Sequence, residues 1–373
     1  MRVILLLMCA VLTACANLPF MDAGDGPDEA VIMSKPAELR VAWVRDIDQR
    51  KPLGASGYSL PTVTSDAIVI GGGDRRVHIY KKHGGEQGRI GLSAPSESGA
   101  LTLTNDLVVL ADNDGVLYGI DAKKIAIIWK QQLSSVLLGK PVAAGDDFLV
   151  QTADNRIYRF SQDGKKKWSY SEQMQGLTLH AGSSPSSKGD QVYAVFGNGD
   201  VVALKAESGD LLWRRQLYLS MEAAALSDIR APVSRPVVSG DLLILSFFQG
   251  NITALSRKDG QQVWSKDISL KDTPLALGSN LYMASGDGKV FALDAASGQI
   301  VWKQGVSDAE LIGPVAWKGG LVVGDSKGRI TVLDMKGNII KQLSISGRID
   351  RSFVVFPGGI LVRNDLGNLY LLH

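Results

Sequence analysis

The sequence predicts an all-β chain folded as an eight-bladed β-propeller with four-stranded antiparallel blades, the ring closed by the N-terminal strand. Three observations predict it. A repeat ending in tryptophan recurs, and the successive terminal tryptophans Trp129, Trp168, Trp213, Trp264 and Trp302 are 39, 45, 51 and 38 residues apart. A period of about 40 residues with four strand signals is the spacing of a propeller blade. The strand candidates, such as Leu242–Leu245, Ile330–Leu333 and Val116–Ile120, are short, rich in β-branched or aromatic residues, and bounded by Gly, Asp and Asn turns. Finally, the last repeat stops at His373 without its outer strand, while an orphan strand, Glu38–Val44, carries the missing tryptophan, Trp43, at the other end.

In chain order, the first element is not part of the fold. Arg2 is followed by an unbroken apolar stretch, Val3–Val11, and then by Leu12-Thr13-Ala14-Cys15. The stretch reads as an export signal over residues 1–14, too short to remain as a membrane-spanning helix, which needs about 20 apolar residues. Leu12-Thr13-Ala14-Cys15 resembles the lipobox of bacterial lipoproteins. That resemblance implies cleavage before Cys15, lipid on its sulfur, and, because Ala16 is not aspartate, sorting to the outer membrane. Two or three acyl chains would anchor stably, since each buried CH₂ adds about 0.8 kcal/mol.

Cleavage removes Cys9, so the one remaining cysteine carries lipid and neither a disulfide nor a thiol site is expected. It also leaves 359 residues and lowers the formal charge from +2 to +1, because Arg2 is the only charge lost. Near-neutral balance argues against nucleic acid as a partner. Residues 15–37, with Gly24, Gly26, Pro27 and three aspartates, read as a tether to the propeller of residues 38–373, which is expected to be monomeric.

The blade cores are expected near residues 58–92, 98–134, 139–172, 182–217, 234–269, 272–307, 312–345 and 350–373. The clearest copies end Gly260-Gln261-Gln262-Val263-Trp264 and Gly298-Gln299-Ile300-Val301-Trp302. The two longest intervals carry extra loop residues around 176–187 and 218–235. Closure by the N-terminal strand removes the sheet edge that an open array would expose. The tryptophans, at a repeating position, are expected to be wedges between blades, each burying about 150–250 Å².

The search for chemistry finds little. His78, His83, His180 and His373 show no metal-ligand spacing, and His78 and His83 are expected to face solvent around a turn. Asp112-Asn113-Asp114-Gly115 lacks the remaining ligands of a calcium loop, and Gly71-Gly72-Gly73 precedes Asp74-Arg75-Arg76, so both read as hairpin turns. No nucleophile elbow or phosphate loop is present in the sequence. No catalytic residue, metal or cofactor is therefore expected.

Ala292-Leu293-Asp294-Ala295-Ala296-Ser297-Gly298-Gln299-Ile300-Val301-Trp302-Lys303 resembles the tryptophan-docking repeat of the pyrroloquinoline-quinone propellers. Their enzymes have an adjacent cysteine pair that this chain lacks. Lipobox, eight repeats, closing strand and the two long loops together resemble the BamB family, propeller lipoproteins of the outer-membrane β-barrel assembly machinery. The local match is Leu177-Thr178-Leu179-His180 before blade 4 and Leu226-Ser227-Asp228 before blade 5.

The resemblance implies a non-catalytic scaffold at the periplasmic face of the outer membrane. Its partners would be the periplasmic domains of the barrel-inserting subunit BamA, the other lipoproteins of the complex, and unfolded outer-membrane proteins. Leu177, Leu179 and Asp228 carry over as BamA contacts. His180 stands where the family has arginine, and Arg230 where it has a second acid, so the charge arrangement at this contact is altered. Read from the residues alone, Leu177 and Leu179 have two outcomes, packed into the blade or exposed as an apolar anchor. An exposed His180 would titrate near neutral pH. A quinone-type dehydrogenase and a cell-wall glycan-binding propeller remain open as readings of other classes.

Overall fold

Short strands joined by tight turns can bury their apolar faces only against other sheets. The chain solves this by repeating one meander eight times. The computed structural model describes residues 39–47, 59–137, 139–172, 183–217, 231–232, 234–248 and 250–373. Blade 1 consists of Thr62–Val63, Ala67–Gly71, Arg76–Lys81 and Glu86–Gly91, hydrogen-bonded in that order. The other blades repeat it at 101–132, 142–171, 186–216, 237–266, 275–305 and 311–344. Blade 8 is built from Val354–Phe356, Gly359–Arg363 and Asn368–Leu372, with Val41–Asp46 as its outer strand. The expected fold class and blade order are borne out, with the closing strand displaced towards its C-terminal end.

Closure is antiparallel, pairing Val44 with Tyr370 and Asp46 with Asn368. Backbone bonds from Arg40 N to His373 O (2.9 Å) and back from His373 N to Arg40 O (3.0 Å) seal its start. In each blade the second and third strands are buried on both sides, as in Ala67–Gly71 and Leu107–Ala111, while outer strands such as Ile300–Gly305 alternate. This explains the near-continuous apolar runs of the middle strands: each is sandwiched between two neighbouring blades. The core is accordingly divided into eight apolar clusters, one per blade junction. One of these packs Val69 and Ile79 of blade 1 on Val108 and Ile120 of blade 2. Another packs Ile68 of blade 1 on Leu361 and Leu371 of blade 8.

The tryptophans are the wedges of this ring. Trp264 donates its indole N–H to Ala295 O (3.0 Å) in the next blade and lies over Gly298, whose φ of +67° and missing Cβ admit the ring. Trp129, Trp168, Trp213 and Trp302 repeat the arrangement on Gly164, Gly209, Gly260 and Gly337. Trp43 does so on Gly84 across the closure, donating to Lys82 O at 3.0 Å. Burying about 150–250 Å² at about 25 cal/mol per Å² gives each wedge an upper bound of about 4–6 kcal/mol.

Two junctions depart from the rule. Between blades 1 and 2 the wedge position is Gly88 and the receiving turn holds Ile125, so apolar bulk comes from the opposite side. A Cβ on Gly88 would meet Ile125 Cδ1 at 2.8 Å. Blade 7 has Lys341 opposite Val332, and in blade 8 the outer strand Val41–Asp46 comes from the N-terminal segment, so no turn joins the third strand to the fourth and none receives a wedge. Blade 5 has a further feature: Ala231–Pro232 adds a strand against Phe247 and Phe248, making its sheet five-stranded. Part of the long interval expected as loop is therefore strand.

Candidate functional site

Cys15, Leu177, Leu179, His180, Asp228 and Arg230 all lie outside the described residues. The roots of the two loops are described, and they fix where the loops emerge. The first leaves blade 3 after Glu172 and rejoins at Ser183; the second leaves blade 4 after Leu217 and rejoins at Ala231. Both are crossings from an outer strand to the next inner strand. In an antiparallel meander all such crossings lie at one end of the blades, together with the second-to-third turns. The described roots of both loops therefore lie on one end of the ring, on either side of blade 4. The chain enters the ring at Leu39 and Arg40, beside His373, at the opposite end.

The junction beneath the first loop is charged. Arg214, on the outer strand of blade 4, lies 2.7 Å from Asp200 Oδ2 and 3.3 Å from Glu172 Oε2. The Asp200 side chain is 0% exposed and that of Glu172 only 7%, whereas Arg214 is 44% exposed and reaches solvent. Asn198 Nδ2 donates to Asp200 Oδ2 at 2.6 Å, and the Tyr170 hydroxyl donates to Glu172 Oε1. Its bond to Asp200 holds Arg214 above the usual guanidinium range, and burial, reinforced by Glu172, pushes the Tyr170 hydroxyl well above the ordinary phenol range.

At the other end of the same junction Arg159 lies 2.6 Å from Asp147 and donates to Ala206 O in blade 4. On the far side of blade 4, Arg257 Nε donates to the Tyr193 hydroxyl at 2.8 Å and stacks over its ring. These arginines had no signal in the sequence, because each acts across a blade boundary on a residue 42 or more positions away.

Elsewhere the polar groups serve the fold. Asp112 Oδ1 accepts from the amides of Asp114 and Val116, and Oδ2 from Ala94 N and the Tyr118 hydroxyl, so the carboxylate is used in closing its turn. Among the described residues no group of three or more His, Cys, Asp or Glu could hold a metal ion, and no helix is long and apolar enough to cross a membrane. The expectation for His78 needs correction: it is 2% exposed, 3.1 Å from Asp74 through Nε2. It sits on a third strand, and such strands are covered on both faces by neighbouring blades. His83 is exposed at the following turn, as expected.

The family model for outer membrane protein assembly factor BamB matches residues 73–304. The assembly factor BamB of Yersinia pestis is 24% identical over 278 residues, covering 73% of this chain and 70% of its own. That of Nitrosomonas eutropha is 25% identical over 390 residues, covering 99% and 94%. The crystal structure of BamB from Moraxella catarrhalis superposes with a TM-score of 0.78 at 19% identity, over 90% of this chain and 100% of the other. With the family model matching well over half of the 373 residues, the chain belongs to the family of the outer membrane protein assembly factor BamB.

Proposed function

We propose that this protein is a non-catalytic scaffold of the outer-membrane β-barrel assembly complex, binding the periplasmic domains of BamA through the loops on either side of blade 4. The observation that carries the reading is the family match across residues 73–304. The geometry supports the site. The roots of both loops, Glu172 and Ser183 for one and Leu217 and Ala231 for the other, lie at one end of the ring on either side of blade 4, as a single partner domain touching both loops requires.

Leu177 and Leu179 supply the apolar anchor, with His180, Asp228 and Arg230 as a charged rim, the composition of an interaction hot spot. Residues 1–14 are the leader, and Cys15 carries the lipid that holds the protein at the periplasmic face of the outer membrane. The 23 residues 15–37 span at most about 80 Å. That reach lets the ring engage its partner by the end opposite the one at which the chain enters. Its other partners are the remaining lipoproteins of the complex and unfolded outer-membrane proteins.

The test is co-purification from the protein's own cell envelope in detergent. BamA should accompany the wild type and be lost from a variant with Leu177→Ala, Leu179→Ala and Asp228→Ala. Recovery with both proteins would move the site elsewhere, and recovery with neither would reject the scaffold reading.

A further inference from the structure

Three buried side-chain atoms without a hydrogen-bond partner lie in the junction of blades 3 and 4: Gln151 Oε1, Asn155 Nδ2 and Asp200 Oδ1. Gln151 is 2% exposed, Asn155 3% and Asp200 0%. Buried polar atoms are costly to leave unpaired, so most are satisfied by protein, by water or by an ion.

The surrounding contacts turn these atoms towards one space. Gln151 pairs with Ile157 across the sheet of blade 3, and Ile157 belongs to the apolar cluster shared with blade 4. Asn155 precedes Ile157 by two residues and shares its face. Gln151 Nε2 crosses to Val195 O in blade 4 at 2.9 Å. Val195 ends the second strand of that blade and Asp200 opens the third. Asp200 gives Oδ2 to Arg214 on the outer strand, so Oδ1 is left on the inner side, towards the strand that Gln151 meets. The circle closes through Glu172, whose amide donates to Asn155 O at 3.0 Å and whose Oε2 lies 3.3 Å from Arg214.

Charge narrows the choice of occupant. Two carboxylates, Asp200 and Glu172, share the one guanidinium of Arg214, which leaves a net charge of −1 on the described groups of this enclosure. A buried charge without compensation is far costlier than a buried neutral group. Carboxylate and amide oxygens suit hard cations. Calcium takes about 6–8 oxygens, several of them from carboxylates, whereas here one carboxylate oxygen is open, which favours a monovalent ion. The Asn155 nitrogen has no acceptor to hold it, so a half-turn of its amide brings Oδ1 to the same space.

We propose that the junction of blades 3 and 4 binds one alkali-metal cation, sodium or potassium, through Asp200 Oδ1, Gln151 Oε1 and the turned Asn155 Oδ1, with water completing its shell. The ion balances the second carboxylate and ties the second strand of blade 3 to the third strand of blade 4. Two of its three protein ligands are amides, so the site is not a cluster of acids and histidines.

The test is the unfolding midpoint of the full chain in detergent, measured at constant ionic strength in sodium, potassium or N-methylglucammonium chloride. One alkali salt should raise the midpoint above its value in N-methylglucammonium, by about 2 °C once the ion is at about ten times its dissociation constant. Asp200→Asn keeps the shape and removes the charge, and should abolish that increment whatever it does to the midpoint itself. Asn155→Gly, which suits the φ of +57°, should move the increment to higher salt. Asp154→Asn, which alters a carboxylate paired with Arg156 in the same turn, should retain it.

Equal wild-type midpoints in the three salts would overturn the proposal and leave the enclosure to water. An increment that survives unchanged in both Asp200→Asn and Asn155→Gly would place the ion elsewhere and overturn it as well. A larger increment from micromolar calcium would overturn the monovalent assignment.

Discussion

Each docked tryptophan is held by three features at once: a glycine with positive φ beneath the ring, a carbonyl for the indole N–H, and apolar side chains from two blades. Trp264→Ala should therefore cost about 3–5 kcal/mol of unfolding free energy, read from chemical denaturation. The inverted junction allows a sharper check. Gly88→Trp alone must displace Ile125 and should destabilise by about 1–3 kcal/mol. Adding Ile125→Gly rebuilds the arrangement of the other junctions and should recover most of that loss.

Wedge positions were legible in the sequence because glycine and tryptophan recur at a fixed local spacing. Their partners were not. Gly298 and Trp302 sit in one motif, yet Gly298 receives Trp264 and Trp302 goes on to Gly337. The exchange of Gly88 with Ile125, the burial of His78 and the charged root at Glu172 were hidden for the same reason, since each depends on a neighbouring blade rather than on the residues beside it in the chain.

At the scale of elements, turns of adjacent blades are tied by polar side chains. Asp106, in the first turn of blade 2, accepts from Ser65 N (2.7 Å) and Oγ (2.6 Å) in the corresponding turn of blade 1 and pairs with Lys123 at 2.9 Å. Burial pushes its carboxyl up, but these bonds outweigh burial and hold it below the ordinary value. A carboxyl depressed in the folded state contributes stability that is present above the unfolded value, about pH 4, and lost as pH falls through the folded one. Asp106→Asn should cost about 1–3 kcal/mol at neutral pH and flatten the acid limb of the stability curve. Asparagine tolerates the local φ of +59°, so the backbone should not obscure the comparison. Strand number and order could be read from the sequence, because turn residues and apolar runs are local signals. The extra strand Ala231–Pro232 could not, because it is created by pairing with the extended end of another strand.

For the molecule as a whole, closure is the decisive contact. Without residues 39–47 the edge Asn368–Leu372 would lie open, and the ring would lose both Trp43 and Ile47 from its last junction. That deletion should convert one cooperative unfolding transition into a broadened one and promote association through the free edge, both visible by denaturation and size-exclusion chromatography. Closure also sets orientation. The chain enters beside His373 at one end, while the crossings that flank blade 4 open at the other.

Site-specific photo-crosslinking in the living envelope tests this arrangement most directly. A photoreactive side chain at position 177, 179 or 228 should capture BamA, and one at the exposed third-to-fourth turn residue Lys124, on the opposite end, should not. Capture from position 124, with none from 177, 179 or 228, would contradict the account.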